Sequence, residues 1–231
     1  MPVTLRSAYL TLRIAILIAA LPCVAAKAQS HNFYFVGLGG ISTLSADGRS
    51  ILSPSMSQIS LYKPENGPAL NVAAGWDFSR YLSLQGNYIW NANDLTLVST
   101  AFGAAGISQY QETRSSRESG AILDLLGYMR ARGDRVRPYL SCGTGLEHFS
   151  SSLQTVELTS GSLPLPPPQF SANHIALRVA VGIDFRIARR WAFRYSFSDT
   201  ITSNPISRQL DPPGQRGMEG FQNLFGLTWH F

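Results

Sequence analysis

Apolar and polar residues alternate with a period of two along much of this chain, and this pattern limits the possible folds more than any other feature of the sequence. In residues 175–187, every second residue is aliphatic or aromatic, and the residues between them are small or charged. Residues 219–231 show a similar alternation. A period of two places successive side chains on opposite faces of a β-strand, whereas the apolar spacing of an amphipathic helix is almost absent. After its first 28 residues, the chain is therefore predicted to be all-β.

Eight segments show this strand pattern. Their lengths match the roughly 9 to 11 residues of a transmembrane strand better than the about 5 to 6 residues typical of soluble proteins. They cover residues 33–44, 69–79, 81–93, 119–131, 137–149, 173–187, 190–199 and 219–231. An open sheet edge in hydrocarbon would leave backbone groups without hydrogen bonds, so the sheet must close. The predicted fold is a closed, eight-stranded, antiparallel, up-and-down transmembrane β-barrel.

The connections between these segments alternate between short and long. Tight turns follow the second, fourth and sixth segments, near residues 79–80, 132–135 and 188–190. The other connections are long and polar, and cover residues 45–68, 94–118, 150–172 and 200–218. Short turns at one end and long loops at the other are typical of outer-membrane barrels. We therefore predict periplasmic turns and four extracellular loops.

The first residues of the chain have the pattern of an export signal. Arg6 and Arg13 precede an apolar stretch at residues 14–21, which is too short for a membrane anchor. Small residues at Ala26 and Ala28 suit a cleavage site. We predict a signal peptide over residues 1–28 and a barrel domain over residues 29–231.

Charge and composition argue against several functions. The formal net charge is +5, but the sequence after the predicted signal contains a single lysine, Lys63, and no basic run. A nucleic-acid partner is therefore not expected. Beyond the predicted signal, Cys142 is the only cysteine, so an internal disulfide is not expected. The four histidines do not have metal-ligand spacing, and we expect neither a metal site nor a cofactor.

Several short motifs resemble the OmpA-like family of eight-stranded outer-membrane barrels. They are Arg137-Pro138-Tyr139-Leu140 with Gly143-Thr144-Gly145, Gly182-Ile183-Asp184-Phe185 with Arg190-Trp191 and Arg194-Tyr195, and the C-terminal Gly226-Leu227-Thr228-Trp229-His230-Phe231. The resemblance implies a Gram-negative outer-membrane location and contact with membrane lipid and lipopolysaccharide. It also implies insertion by the barrel-assembly machinery with periplasmic chaperones, for which Trp229 and Phe231 would be the assembly signal. The sequence ends at the barrel, so tethering through the family's peptidoglycan-binding domain is not expected.

Strand parity predicts which side chains point into the barrel. The inward polar set is Asp77, Gln85, Asn87, Asp124, Tyr128, Arg130, Glu147, Arg178, Asp184, Arg186 and Arg194. The interior of an eight-stranded barrel is only wide enough for side chains to fill it. We therefore expect the acids Asp77, Asp124, Glu147 and Asp184 to neutralise Arg130, Arg178, Arg186 and Arg194 in a structural network. The alternative is that this network gates a narrow ion path.

Aromatic residues are concentrated beside the predicted short turns. They are Trp76, Phe78, Tyr81, Trp191, Trp229 and Phe231, and we expect them to form an interfacial girdle. The tripeptide Arg132-Gly133-Asp134 matches an integrin-binding sequence, but it falls in one of these turns, where it is interpreted as a β-turn.

One motif suggests chemistry. His148-Phe149-Ser150 resembles the His-x-Ser motif of outer-membrane lipid A deacylases, in which a histidine activates a serine. The family's asparagine after the serine is Ser151 here. A lipid A-modifying hydrolase is therefore a remote alternative. The preferred prediction is a non-enzymatic barrel with a structural envelope role, for which weak small-solute conductance is left open, and the second is an adhesin acting through its loops.

Overall fold

The computed structural model describes residues 32–53, 56–63, 65–103, 106–160, 168–203 and 217–231. These residues form one antiparallel sheet of nine strands. In chain order they are β1 (Phe33–Ser53), β2 (Met56–Lys63), β3 (Glu65–Asp77), β4 (Leu82–Gly103), β5 (Gly106–Tyr128), β6 (Val136–Ser160), β7 (Gln169–Arg186), β8 (Trp191–Ser203) and β9 (Gly217–His230). The first strand pairs with the last, from Tyr34 opposite His230 to Ala46 opposite Met218, so the sheet closes. The predicted signal peptide lies outside the described residues.

The barrel wall has eight strand positions because β2 and β3 share one of them. β1 pairs with β3 as far as Leu44 and with β2 from Asp47 onward. β4 likewise pairs with β3 near the short turns and with β2 farther along. The predicted closed eight-stranded antiparallel barrel is confirmed. None of the described residues belongs to a helix long and apolar enough to span a membrane.

The strands continue well beyond their predicted ends. Much of the connections predicted over residues 45–68, 94–118 and 150–172 is β-strand. At about 3.3 Å per residue, the 22 residues of β4 extend roughly 70 Å, against an apolar band about 25 Å tall in outer-membrane barrels. Neighbouring strands keep pairing in water because their backbone donors and acceptors already lie in register. Three of the four expected long loops are therefore largely an ordered extension of the barrel, and the fourth, residues 200–218, lies mostly outside the described residues.

Burial alternates along the strands and separates the two faces of the wall. β8 alternates between exposed and buried residues, and Asp199 alone among its outward residues is half-buried. The outward face carries exposed aliphatic side chains, such as Val72, Leu123 and Ile175, which are 60%, 54% and 70% exposed. A water-soluble barrel would not expose so many, whereas acyl chains solvate them. We call this outward surface the apolar band.

The short turns and an aromatic girdle form one end of the barrel. The backbone N–H of Asp134 donates to the carbonyl of Ala131 at 3.0 Å, so Arg132-Gly133-Asp134 lies in a β-turn, as predicted. Trp76, Phe78, Tyr81 and Trp191 are exposed beside these turns. Trp229 packs against Trp191 and against Phe231, with ring centroids 6.4 and 4.3 Å apart.

Candidate functional site: the barrel interior

A bidentate ion pair lies at the centre of the interior near the short turns. Asp184 on β7 is directly opposite Arg194 on β8. The Arg194 Nε is 2.6 Å from Asp184 Oδ1, and a terminal nitrogen is 2.7 Å from Oδ2. The other Arg194 donors reach the Tyr128 hydroxyl at 2.8 Å and Gln85 Oε1 at 2.7 Å. Both charged side chains are buried, and the pair is extensively hydrogen-bonded, as a buried charge requires.

A second ion pair, Asp124 with Arg178, depends on a glycine. The Arg178 guanidinium donates to Asp124 Oδ2 at 2.8 Å across the intervening strand β6, where Gly143 lies opposite both residues. A Cβ at residue 143 would come within 2.0 Å of Asp124 Oδ1 and 2.4 Å of the Leu123 carbonyl oxygen. The missing side chain therefore provides the space for this ion pair.

Amide and hydroxyl side chains link the two ion pairs and extend the network toward the other end. Gln85 donates to Asn87 at 2.7 Å, and Asn87 donates to Asp124 at 3.1 Å. Beyond Asp124, the next members are Arg178, Ser198, Gln222, Asn91 and Glu118, joined by hydrogen bonds of 2.7 to 3.3 Å. The resulting interior network runs without a break from Asp184 to Glu118.

The interior of the extension is closed by apolar residues and by a third ion pair. Leu44, Leu95, Phe149 and Met218 are almost completely buried there. Arg114 Nε lies 3.0 Å from Glu112 Oε1, with both side chains 0% exposed. Glu112 is beyond the apolar band; burial raises the pKa of its carboxyl, and the Arg114 guanidinium partly offsets that effect. Side chains thus fill this end of the barrel too.

The structure places six of the eight predicted charged residues in the interior. Asp77, Asp124, Glu147, Arg178, Asp184 and Arg194 are all buried. Glu147 pairs with Gly120 of β5, and Glu118 is the neighbouring inward-facing residue of that strand. Asp77 pairs with Arg132, whose Nε is 3.3 Å from Asp77 Oδ2.

The prediction from strand parity was wrong for Arg130 and Arg186, because both side chains are exposed. β5 ends at Tyr128, so Arg130 lies in the following turn, where alternation no longer applies. Arg186 is the last residue of β7, and its guanidinium donates to the backbone carbonyls of Arg132 and Gly133. Sequence reasoning also missed buried charged residues, namely Glu112, Arg114, Glu118 and Arg137. Glu112, Arg114 and Glu118 lie on β5 an even number of residues from Asp124, so they face the same side of the strand. A longer predicted strand would have identified them as inward-facing residues.

The outer wall above the apolar band carries the His-x-Ser motif. Ser119, His148 and Asn173 form a polar row directly above Ala121, Leu146 and Ile175. His148 Nδ1 is 2.7 Å from Asn173 Oδ1, and among the described residues no hydrogen bond joins His148 to Ser150. Near this row is a cavity of about 550 Å³ whose lining includes Arg117, Ser150, Ser171 and Gln154. No three potential metal ligands cluster in the described parts of the chain.

The predicted assembly residues lie where the barrel closes. The Phe231 N–H donates to the Phe33 carbonyl at 3.2 Å, and Phe35 contacts the rings of Trp229 and Phe231 at 6.5 and 5.5 Å between centroids. Their role as an assembly signal stays a prediction.

A closed wall, an apolar outer band, an aromatic girdle and a polar packed interior define an integral membrane β-barrel. The chain belongs to the family described as outer membrane protein beta-barrel domain, whose model matches residues 14–231. Membership implies an outer-membrane location. Among curated proteins, none matches this sequence.

Similar solved structures are outer-membrane barrels at low sequence identity. Neisserial surface protein A is 15% identical, with 87% of this chain and 98% of that chain covered and a TM-score of 0.49. Ail of Yersinia pestis, in complex with the heparin analogue sucrose octasulfate, is 11% identical, with coverages of 87% and 97% and a TM-score of 0.45. OprG from Pseudomonas aeruginosa is 12% identical, with coverages of 87% and 96% and a TM-score of 0.43.

Proposed function

We propose that this protein is a non-enzymatic structural barrel of the outer membrane with a closed interior. The observation that carries the proposal is the interior network, in which Arg194 on β8 reaches Gln85 on β4 across the interior and buried ion pairs join β8 to β7 and β7 to β5. Buried charges that are paired and hydrogen-bonded resist rearrangement, since separating them leaves one without a partner. Export by the signal peptide at residues 1–28, assembly through Trp229 and Phe231, and contact with lipopolysaccharide belong to the same proposal.

A closed interior predicts electrical silence. The purified protein in planar bilayers is expected to show no steady conductance, because eight strands leave little room for water between the packed side chains. A variant with Asp124→Ser and Arg178→Ser is expected to stay silent as well, because Leu44, Leu95, Phe149 and Met218 still close the interior of the extension. Steady conductance of the wild-type protein would contradict the closed interior and would favour the gated ion path.

A second candidate function is surface recognition, and the ordered extension favours it. β5, β6 and β7 hold the lining of the outer-wall cavity on a paired sheet, where Arg117, Ser150 and Ser171 lie in one row across the three strands. Hydroxyl and amide groups with one cation suit a polyhydroxylated or sulfated saccharide. No carboxylate lines this cavity among its described residues.

Recognition predicts a defect in an Arg117→Gln variant. Cells that display the protein are expected to bind a glycan on an array of neutral and sulfated oligosaccharides. The variant should bind about tenfold more weakly, because a hydrogen bond to a charged group contributes roughly 1.5–3 kcal/mol. Arg80→Gln, in a short turn at the opposite end, is the matched control. Equal glycan binding by the wild type and by Arg117→Gln would exclude the outer-wall cavity as the recognition surface.

A further inference from the structure

One end of the barrel carries an excess of exposed positive charge. The three short turns, residues 78–81, 129–135 and 187–190, contain a single acidic residue, Asp134. Their arginines, together with the last residue of β7, are Arg80, Arg130, Arg132, Arg135, Arg186, Arg189 and Arg190. All of these except the half-buried Arg132 are exposed. We call this surface the basic rim.

Among the residues that the structure describes, the opposite end of the barrel has no such excess. Among the exposed charged side chains that the structure describes beyond the apolar band, Asp94, Glu157 and Glu219 are acidic and Arg117 is basic. The positive charge is therefore concentrated at one end, which indicates an anionic partner on the side of the short turns.

Only part of the charge on the basic rim is used within the protein. Arg132 pairs with Asp77, and Arg186 donates to backbone carbonyls of the second turn. These two arginines hold that turn in place. In contrast, Arg189 and Arg190 form no salt bridge with any side chain that the structure describes. They are exposed and remain available to an external anion.

The basic rim contains a cleft next to the aromatic girdle. The cleft has a volume of about 350 Å³ and is lined by Arg132, Arg186, Arg189 and Arg190 together with Trp191 and Phe231. No acidic side chain lines it among the described residues. Exposed tryptophan beside the short turns marks the level of the lipid head groups, so the cleft lies where a phospholipid phosphate lies.

We propose that the basic rim binds the phosphate of an anionic phospholipid in the periplasmic leaflet, with Arg189 and Arg190 as donors. Guanidinium groups bind phosphate through charge-assisted hydrogen bonds, and the neighbouring rings can cover the glycerol and upper acyl carbons. A cell-wall glycan strand fits less well because it has no apolar segment for Trp191 and Phe231. The proposal rests on the outer-membrane barrel assignment, which places the short turns in the periplasm.

The test measures lipid preference by tryptophan quenching. The full chain is reconstituted in phosphatidylcholine vesicles that contain brominated phosphatidylglycerol or brominated phosphatidylcholine. Trp76 and Trp229 lie in the same girdle, so the quenching that is lost in a Trp191→Phe variant reports the relative binding of the two lipids at the cleft. We expect the protein to prefer phosphatidylglycerol by a factor of about five or more. This factor corresponds to the effect of roughly one arginine near an anionic surface. The Arg189→Gln/Arg190→Gln variant should bring the ratio close to one, and Asp94→Asn, an exposed charged residue at the other end, should leave it unchanged.

Several outcomes would overturn the inference. A ratio near one for the assembled wild-type barrel would do so, as would a preference that survives the double substitution. Co-sedimentation with purified peptidoglycan that is lost in the double variant, without any lipid preference, would assign the basic rim to the cell wall instead. Electrophoresis of unboiled and boiled samples separates this failure from that of the fold. If the wild type shows no heat-dependent mobility shift, the barrel assignment fails and the inference falls with it.

Discussion

Arg194→Met is expected to destabilise the folded barrel by about 3–5 kcal/mol, the usual cost of leaving one charge of a buried pair without its partner. Arg194 is 1% exposed and donates to Asp184, Tyr128 and Gln85, so the substitution breaks several contacts at once. Methionine keeps a similar length and apolar stem, which limits the loss of packing. Urea unfolding in phospholipid vesicles, followed by tryptophan fluorescence, measures the change.

Two further variants make this expectation specific to the ion pair. Arg80→Met removes an exposed arginine from a short turn and is expected to change the free energy of unfolding by less than about 0.5 kcal/mol. Adding Asp184→Asn to Arg194→Met removes the unpaired charge and should recover part of the lost stability. If Arg194→Met unfolds at the same urea concentration as the wild type, this pair does not hold the interior together. If Arg194→Met alone fails to fold, assembly of the Asp184→Asn/Arg194→Met variant would show that the unpaired charge is the cause.

Gly143→Ala is expected to destabilise the barrel by about 1–3 kcal/mol, although it adds a single methyl group. The new Cβ would lie 2.0 Å from Asp124 Oδ1 and 2.4 Å from the Leu123 carbonyl oxygen. The carboxylate can rotate away only by giving up its bond to Arg178, and the backbone carbonyl cannot move without disturbing the pairing of β5 with β6. The same vesicle unfolding measurement reports the loss.

Gly37→Ala is the matched control for this substitution. Gly37 also lies in a strand of the wall, but a Cβ there meets no atom within 4 Å and points toward the outer face. The control is expected to be neutral or slightly stabilising, since alanine restricts the unfolded chain more than glycine does. If both variants unfold alike, the close approach at Gly143 does not limit the stability of the barrel.

The parts of the fold that depend on local alternation could be predicted from the sequence. A lipid-facing residue such as Val179 and an interior residue such as Arg178 are neighbours in the chain, and a strand must place them on opposite faces. The same rule correctly gave inward positions to Asp124, Asp184 and Arg194. It failed where a strand ends, as at Arg130.

Pairing partners could not be predicted in the same way. The contact of Arg194 with Gln85 joins residues 109 positions apart in the chain, and it forms because closure brings β8 and β4 to facing sides of the interior. The length of the extension was also missed, because polar alternation in Ser- and Thr-rich segments also suits a loop. Pairing with an already ordered neighbour favours the strand there.

Period-two spacing and strand length were enough to specify a closed barrel and its two faces, because both follow from the geometry of single strands in a bilayer. The ion pairs, the filled interior and the basic rim required the three-dimensional structure. Arg132 and Arg189, for example, are far apart in the sequence and line one cleft only after the strands pair. Electrostatic interactions depend on distance in space, and in a closed sheet that distance is decided by register and closure.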